Sequence, residues 1–298
     1  MKKLSFLLLS LSFFVFNVNY AQNDPIVQSG STSKFRFGLS GSGSVDWLEP
    51  QNQKKFTSGG KGFGYGWGPQ IEIKIFEKTT LRTGFNLYNS AGSINYSPDD
   101  LAFDSVYFFL DPDENYVEWD DAVIEDAGDY IISSSNNSLY QLKKRDFRSK
   151  YVNIPLSFKM KTNEIGYMTF FGEFGSVIGF NTSSLSNDEC IIAEMEDTTG
   201  FISIPSATMN DVINKSNIDF NKGTQPIKAG LVVGGGGEFT FSGTTALFFA
   251  VHFMYDFTNV VRSDKREPYL RRMYNDSYQR VGANSSFRSV RLTVGILF

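Results

Sequence analysis

The final strand-like stretch constrains this chain more than any other feature. Val290, Leu292, Val294, Ile296 and Phe298 alternate with Ser289, Arg291, Thr293 and Gly295, and a side-chain period of two with one wholly apolar face is the pattern of a β-strand. The pattern recurs seven times upstream. Phe35, Phe37, Leu39 and Val45 oppose Arg36, Ser40, Ser42 and Asp46; Phe63, Tyr65, Trp67, Ile71, Ile73 and Ile75 oppose Gly64, Gly66, Gln70, Glu72 and Lys74. Leu81, Phe85 and Leu87 oppose Arg82, Asn86 and Tyr88, and Val152 to Met160 presents apolar even positions against Asn153, Pro155, Ser157 and Lys159. Phe170, Phe174, Ile178 and Phe180 oppose Thr169, Glu173 and Asn181; Leu231, Val233, Phe239 and Phe241 oppose Lys228, Glu238 and Thr240. Finally Leu247, Phe249, Val251, Phe253, Tyr255 and Phe257 oppose Phe248, Ala250, His252, Met254 and Asp256.

Eight such strands are joined by connections that alternate in length. Residues 47–62, 90–146, 182–225 and 258–286 are long; Glu77-Lys78-Thr79, residues 161–166 and Ser242-Gly243-Thr244 are short. Short turns at one end and long loops at the other are how outer-membrane barrels are built. A soluble sandwich or lipocalin-like barrel shares the alternation but carries its charges on the outer face. Here the apolar faces are nearly free of charge and about as long as a tilted membrane crossing, roughly 9 to 11 residues. The expectation is therefore an all-β fold: an eight-stranded antiparallel up-and-down transmembrane β-barrel with long extracellular loops, both termini in the periplasm, in the outer membrane.

The N-terminus fits export. Lys2 and Lys3 precede an apolar run over residues 4–16, and Asn19-Tyr20-Ala21 precedes Gln22, the three-part form of a secretory signal. Residues 1–21 are read as a signal peptide, 22–33 as a periplasmic segment and 34–298 as the barrel domain. The run is too short to span a bilayer as a helix, and no cysteine follows Ala21 to carry a lipid. Cys190 is the lone cysteine, so no internal disulfide holds the chain together. With 28 basic and 32 acidic residues and a net charge of -4, nothing favours nucleic acid as a partner.

If the apolar faces meet lipid, the opposite faces line the lumen. They supply Arg36, Lys74, Arg82, Lys159, Lys228 and Arg291 as cations, Glu72, Glu173, Glu238 and Asp256 as anions, and His252, the only histidine. Eight strands enclose just enough space for side chains, so these charges are expected to form an internal network, with Glu173, His252 and Arg291 at similar depth; a proton or ion path is the sharper alternative. Gly64, Gly66, Gly68 and the run Gly234 to Gly237 lie inside strands with no helix after them, so they are read as relief of crowding in the wall, not as a phosphate cradle.

No catalytic, cofactor or metal motif emerges. Asp256 is four residues from His252, about 13 Å along a strand, too far for a His-Asp pair. The 90–146 loop is densely acidic, including Asp111, Asp113, Glu114, Asp120 and Asp121. Asp111, Asp113 and Asn115 open like a calcium-binding EF-hand loop, but Tyr116 stands where glycine is needed and Ala122 where glutamate is needed. The expected alternatives are an exposed loop folded partly on itself, or weak binding of divalent ions or a partner.

The segment Tyr151-Val-Asn-Ile-Pro-Leu-Ser-Phe-Lys159 resembles the tyrosine-x-x-isoleucine-proline-leucine strand of PorT-like outer-membrane barrels of Bacteroidota. Gly230 to Phe239 resembles that family's glycine-rich sixth strand, and His252 to Asn259 its seventh. The resemblance covers roughly residues 34–298 and implies the barrel fold; the family's named member is implicated in type IX secretion. Three functions follow as expectations: a non-enzymatic barrel whose surface loops bind a partner or scaffold the envelope, a narrow pore, and an accessory of a secretion machine. The implied partners are the outer-membrane bilayer, a possible envelope or secretion-system protein, and the barrel-assembly machinery, for which Phe298 is the terminal aromatic signal.

Overall fold

A computed structural model describes residues 34–53, 56–96, 105–126, 129–132, 137–196, 201–206, 211–242, 245–263, 267–272 and 278–298. The signal peptide, the 22–33 segment and the centre of the Ser242-Gly243-Thr244 turn lie outside them.

Eight strands form the wall: β1 (Phe35–Pro50), β2 (Thr57–Phe76), β3 (Thr79–Gly84 continuing as Asn86–Asn95), β4 (Ser138–Lys161), β5 (Met168–Met195), β6 (Ile227–Ser242), β7 (Thr245–Asp256) and β8 (Ser285–Leu297). Each pairs antiparallel with its neighbour, and β8 returns to β1 with Leu39 opposite Ile296 and Val45 opposite Val290, so the ring closes. The break in β3 at Phe85 has a local cause in β2. Pro69 has no N–H to give the ladder, and its carbonyl accepts from the Phe85 N–H at 3.1 Å. Beside it the walls approach so closely that a Cβ on Gly68 would stand 1.8 Å from the Phe85 carbonyl oxygen, and one on Gly236 would stand 1.9 Å from that of Phe249; only glycine fits there.

The outward faces carry the expected apolar residues. Leu156, Phe158 and Met160 of β4, Phe170, Phe174 and Ile178 of β5, and Val290, Leu292 and Val294 of β8 are all exposed. On a water-soluble protein so broad an apolar belt would drive aggregation; surrounding a barrel, it is the lipid face.

The wall does not stop where the belt stops. β4 has 24 residues and β5 has 28, well beyond a membrane crossing. Along β4 the parity is constant but the chemistry inverts. From Met160 up to Val152 the outward positions are apolar, whereas Lys150, Arg148, Asp146 and Lys144 continue the same outward row. Inward, Lys159, Ser157 and Asn153 give way to Tyr151 and Phe147. The lower part is thus apolar outside and polar inside, and the upper part is the reverse, as in a protein surrounded by water.

This upper storey revises the expected loop boundaries. Residues 90–95 and 138–146 are wall strand, as are residues 182–195, 47–50 and 57–62. Short strands extend the sheet further: Val106–Leu110 pairs with the top of β4, Tyr269–Arg272 pairs with Val106–Leu110, and Ile213–Asp219 pairs with β5. The sequence obscured this because above the membrane the outward positions are charged and the inward ones mix Arg145, Ser149 and aromatics. No single apolar face persists along the strand.

Candidate functional site

The interior is built in layers. At the end bearing the short turns, Lys159 from β4 lies between Glu72 of β2 and Glu238 of β6, 2.5 Å from the Glu72 Oε1 and in direct contact with Glu238. Arg36 donates to Glu238 at 2.9 Å, and Lys161 lies 3.3 Å from Glu72 and 2.9 Å from Glu238. Three cations therefore surround two carboxylates; Lys159 and both carboxylates are buried, while Arg36 and Lys161 are half-buried. Lys74, expected in this network, projects from the strand end and is exposed: the belt has run out there and Lys161 occupies the place instead.

In the middle, Glu173 accepts from Arg82 at 2.8 Å and from Ser157 Oγ at 2.6 Å, and its Oε2 lies 3.1 Å from His252 Nε2. Arg291 is opposite His252 in the register between β7 and β8. Arg82, Glu173, His252 and Arg291 line a chamber of about 30 Å³ with Ser40, Asn86 and Thr293, room for about two waters. The expectation that Glu173, His252 and Arg291 share a depth agrees with this placement; Arg82 joins them from β3. Arg291 itself turns upward, its guanidinium 3.9 Å from the Tyr88 ring centre.

Next, Lys228 donates to Asp256 at 3.0 Å and stands 4.3 Å from the Tyr151 ring centre. Asp256 thus serves Lys228 and not His252. Beside them Asp46 accepts from Ser44 Oγ at 2.6 Å and from the Ala91 N–H at 3.3 Å.

Above the belt the interior becomes aromatic, and here sequence reasoning missed the most buried charge. Arg145 and Asp188 are both inaccessible to solvent; Arg145 Nε donates to Asp188 at 2.7 Å and Nη1 to the Tyr269 hydroxyl at 2.9 Å. The guanidinium lies 4.2 Å from the Phe220 ring centre and 4.7 Å from that of Phe108. Tyr96 and Tyr269 hydroxyls meet at 3.0 Å. Burial raises the Tyr96, Tyr116 and Tyr269 hydroxyls above the usual tyrosine value. Burial, with Asp188 nearby, pushes the Cys190 thiol up to about 12. The signal available in the sequence was the strand parity, which places Arg145 and Phe147 on the face of Tyr151.

The acidic residues of the second connection are dispersed. Asp111 accepts from the backbone and side-chain nitrogens of Asn115 at 2.8 and 3.1 Å, closing its own turn. Glu114 receives Lys215 at 2.8 Å, Asp120 pairs with Arg280, and Asp121 lies 3.8 Å from Lys222; Asp113 sits in the same turn as Asp111. Among the described residues no three histidine, cysteine or acidic side chains converge as a metal site would require. Phe298 is exposed at the mouth, its N–H and carbonyl bonded to Phe37.

A closed antiparallel ring with an apolar belt outside and charges within agrees with a family match: residues 20–262 fit the model described as an outer membrane protein beta-barrel domain. The chain belongs to that family. The outer-membrane barrel is thereby assigned by its sequence as well as by its geometry, and its eighth strand lies beyond the matched region. No curated protein matches the chain. Among solved structures, Neisserial surface protein A is 10% identical with a TM-score of 0.36, covering 89% of this chain and 96% of its own. OprG of Pseudomonas aeruginosa is 9% identical with a TM-score of 0.36, covering 90% and 98%. The outer membrane protease OmpT of Escherichia coli is 8% identical with a TM-score of 0.31, covering 91% and 98%.

Proposed function

We propose that this outer-membrane barrel is a non-enzymatic protein with a closed lumen, whose function resides in the folded storey above the belt, presented to the outside for partner binding or envelope scaffolding. The observation that carries the reading is the layered filling of the interior. Ion-paired side chains occupy it through the belt, and above them a contiguous cluster including Phe108, Tyr116, Phe147, Phe220 and Tyr269 closes the far end. The long connections are accordingly spent on a packed body, not on a passage. Both termini then face the periplasm, since the short turns lie on the opposite side from that body.

Conductance in a planar bilayer tests this. The refolded protein is expected to give no steady channels, and reproducible unitary currents would overturn the closed lumen in favour of a narrow pore. The likeness of Tyr151 to Lys159 and of Gly230 to Phe239 to PorT-like barrels of Bacteroidota supports a second reading, an accessory of a type IX secretion system. Crosslinking in cells followed by identification of the captured proteins separates the two: recovery of secretion components, lost when residues 118–136 are replaced by a flexible linker, would favour the accessory role.

A further inference from the structure

Along the upper margin of the apolar belt runs a row of outward side chains set by the strand register. Tyr255 of β7 is opposite Arg288 of β8, which is opposite Trp47 of β1, which is opposite Lys61 of β2. Lys61 meets β3 at Gly92 beside Ala91, and Ala91 is opposite Arg148 of β4, with Lys150 two residues below. None of these outward positions is acidic. The nearest outward carboxylates, Glu49 and Asp146, stand two residues higher on their strands, and Asp146 is 3.6 Å from Lys144.

The four cations differ in how they are held. Arg288 is satisfied internally, donating to the Asp256 carbonyl and Ser286 hydroxyl at 2.8 Å and covering the Tyr255 ring at 3.5 Å. Lys61, Arg148 and Lys150 are exposed, and among the described residues none has an acidic partner. Arg148 is nevertheless fixed in direction, because its Nη2 donates to the Asn187 and Asn217 side-chain oxygens at 3.0 and 2.9 Å. Between Lys61 and Arg148 the wall is low, since β3 presents only Asn89, Ala91 and Ser93 outward. Two strand spacings separate the flanking cations, about 10 Å.

We propose that this trough on the β2 to β4 wall is a binding site for a phosphorylated glycolipid of the outer leaflet. Its acyl chains lie on the belt, against residues such as Leu87 and Leu156, and its phosphate groups lie among Lys61, Arg148 and Lys150. The charge complementarity and the continuity with the lipid face select this occupant: a phosphate-bearing headgroup anchored by acyl chains meets Lys61, Arg148 and, two residues nearer the belt, Lys150, none of which has an acidic partner among the described residues. The inference rests on the reading that the long end of the barrel faces outward.

The test uses full-length mature protein in nanodiscs, titrated with bisphosphorylated lipid A, with enzymatically dephosphorylated lipid A, and with phosphatidylglycerol. The variant Lys61→Gln/Arg148→Gln/Lys150→Gln is compared after its heat-modifiable migration is shown to match the parent. With each surface cation contributing roughly a fivefold factor, the variant is expected to bind lipid A on the order of 10- to 100-fold more weakly, and the dephosphorylated lipid to bind both proteins equally weakly. Equal binding of lipid A by parent and variant, or equal binding of phosphatidylglycerol and lipid A by the parent, would overturn the site. A separate arm labels Asn52→Cys in intact cells with a membrane-impermeant maleimide. Labelling supports the outward orientation on which the proposal depends; labelling only after lysis would overturn that orientation and the proposal with it, whatever the binding data show.

Discussion

Arg145 illustrates what a buried charge costs when its partner is removed. It and Asp188 are both wholly enclosed, so Arg145→Met leaves a carboxylate without compensation in an apolar surrounding. We expect a loss of about 3–5 kcal/mol, measured by urea unfolding in vesicles. Replacing both residues together, as Arg145→Met with Asp188→Leu, is expected to cost much less, because no isolated charge remains. Cys190 gives a second residue-scale reading. With its thiol inaccessible and pushed up to about 12, it is expected to stay unlabelled by maleimide at pH 7.5 in the folded protein and to react fully in urea. Rapid labelling of the folded form would contradict the packed storey.

Among the elements, the storey built around Tyr96, Tyr116 and Tyr269 responds to alkali. Burial raises all three hydroxyls, so each folded value lies above the unfolded one near 10. The folded form then holds its protons more tightly, and stability is intact below about pH 10 and lost as pH rises beyond it, by about 1.4 kcal/mol per pH unit for each tyrosine. Near-ultraviolet circular dichroism is expected to collapse above pH 10.5 while the belt keeps its strand signal; simultaneous loss of both would show that the two storeys melt as one. The eight belt strands were legible in the sequence because lipid on one side and charge on the other enforce a clean alternation. The lumen set Arg36, Glu72, Arg82, Lys159, Glu173, Glu238, His252, Asp256 and Arg291 followed from the same parity. Lys74 did not, since parity alone cannot tell where a strand leaves the membrane. The upward continuation of β4 and β5 was hidden for a different reason: once both surroundings change, Arg145 and Phe147 share one face with Ser149, and the periodic signal fades.

At the scale of the whole molecule, one wall passes from lipid into water, with a bulge in β5 between Asn181 and Ser183 where it leaves the belt. The belt fixes the barrel in the membrane, and ion-paired side chains occupy its lumen. Site-directed spin labelling along β4 addresses this most directly. In a Cys190→Ala background, labels at the outward positions 144, 146, 148, 150, 152, 154, 156, 158 and 160 are compared for collision with oxygen, which concentrates in lipid, and with a water-soluble nickel chelate. Oxygen-dominated collisions are expected from 152 to 160, a crossover near 150, and chelate-dominated collisions from 148 to 144. Chelate-dominated collisions at every position would mean that the strand stands in water throughout, and would contradict the membrane-embedded barrel.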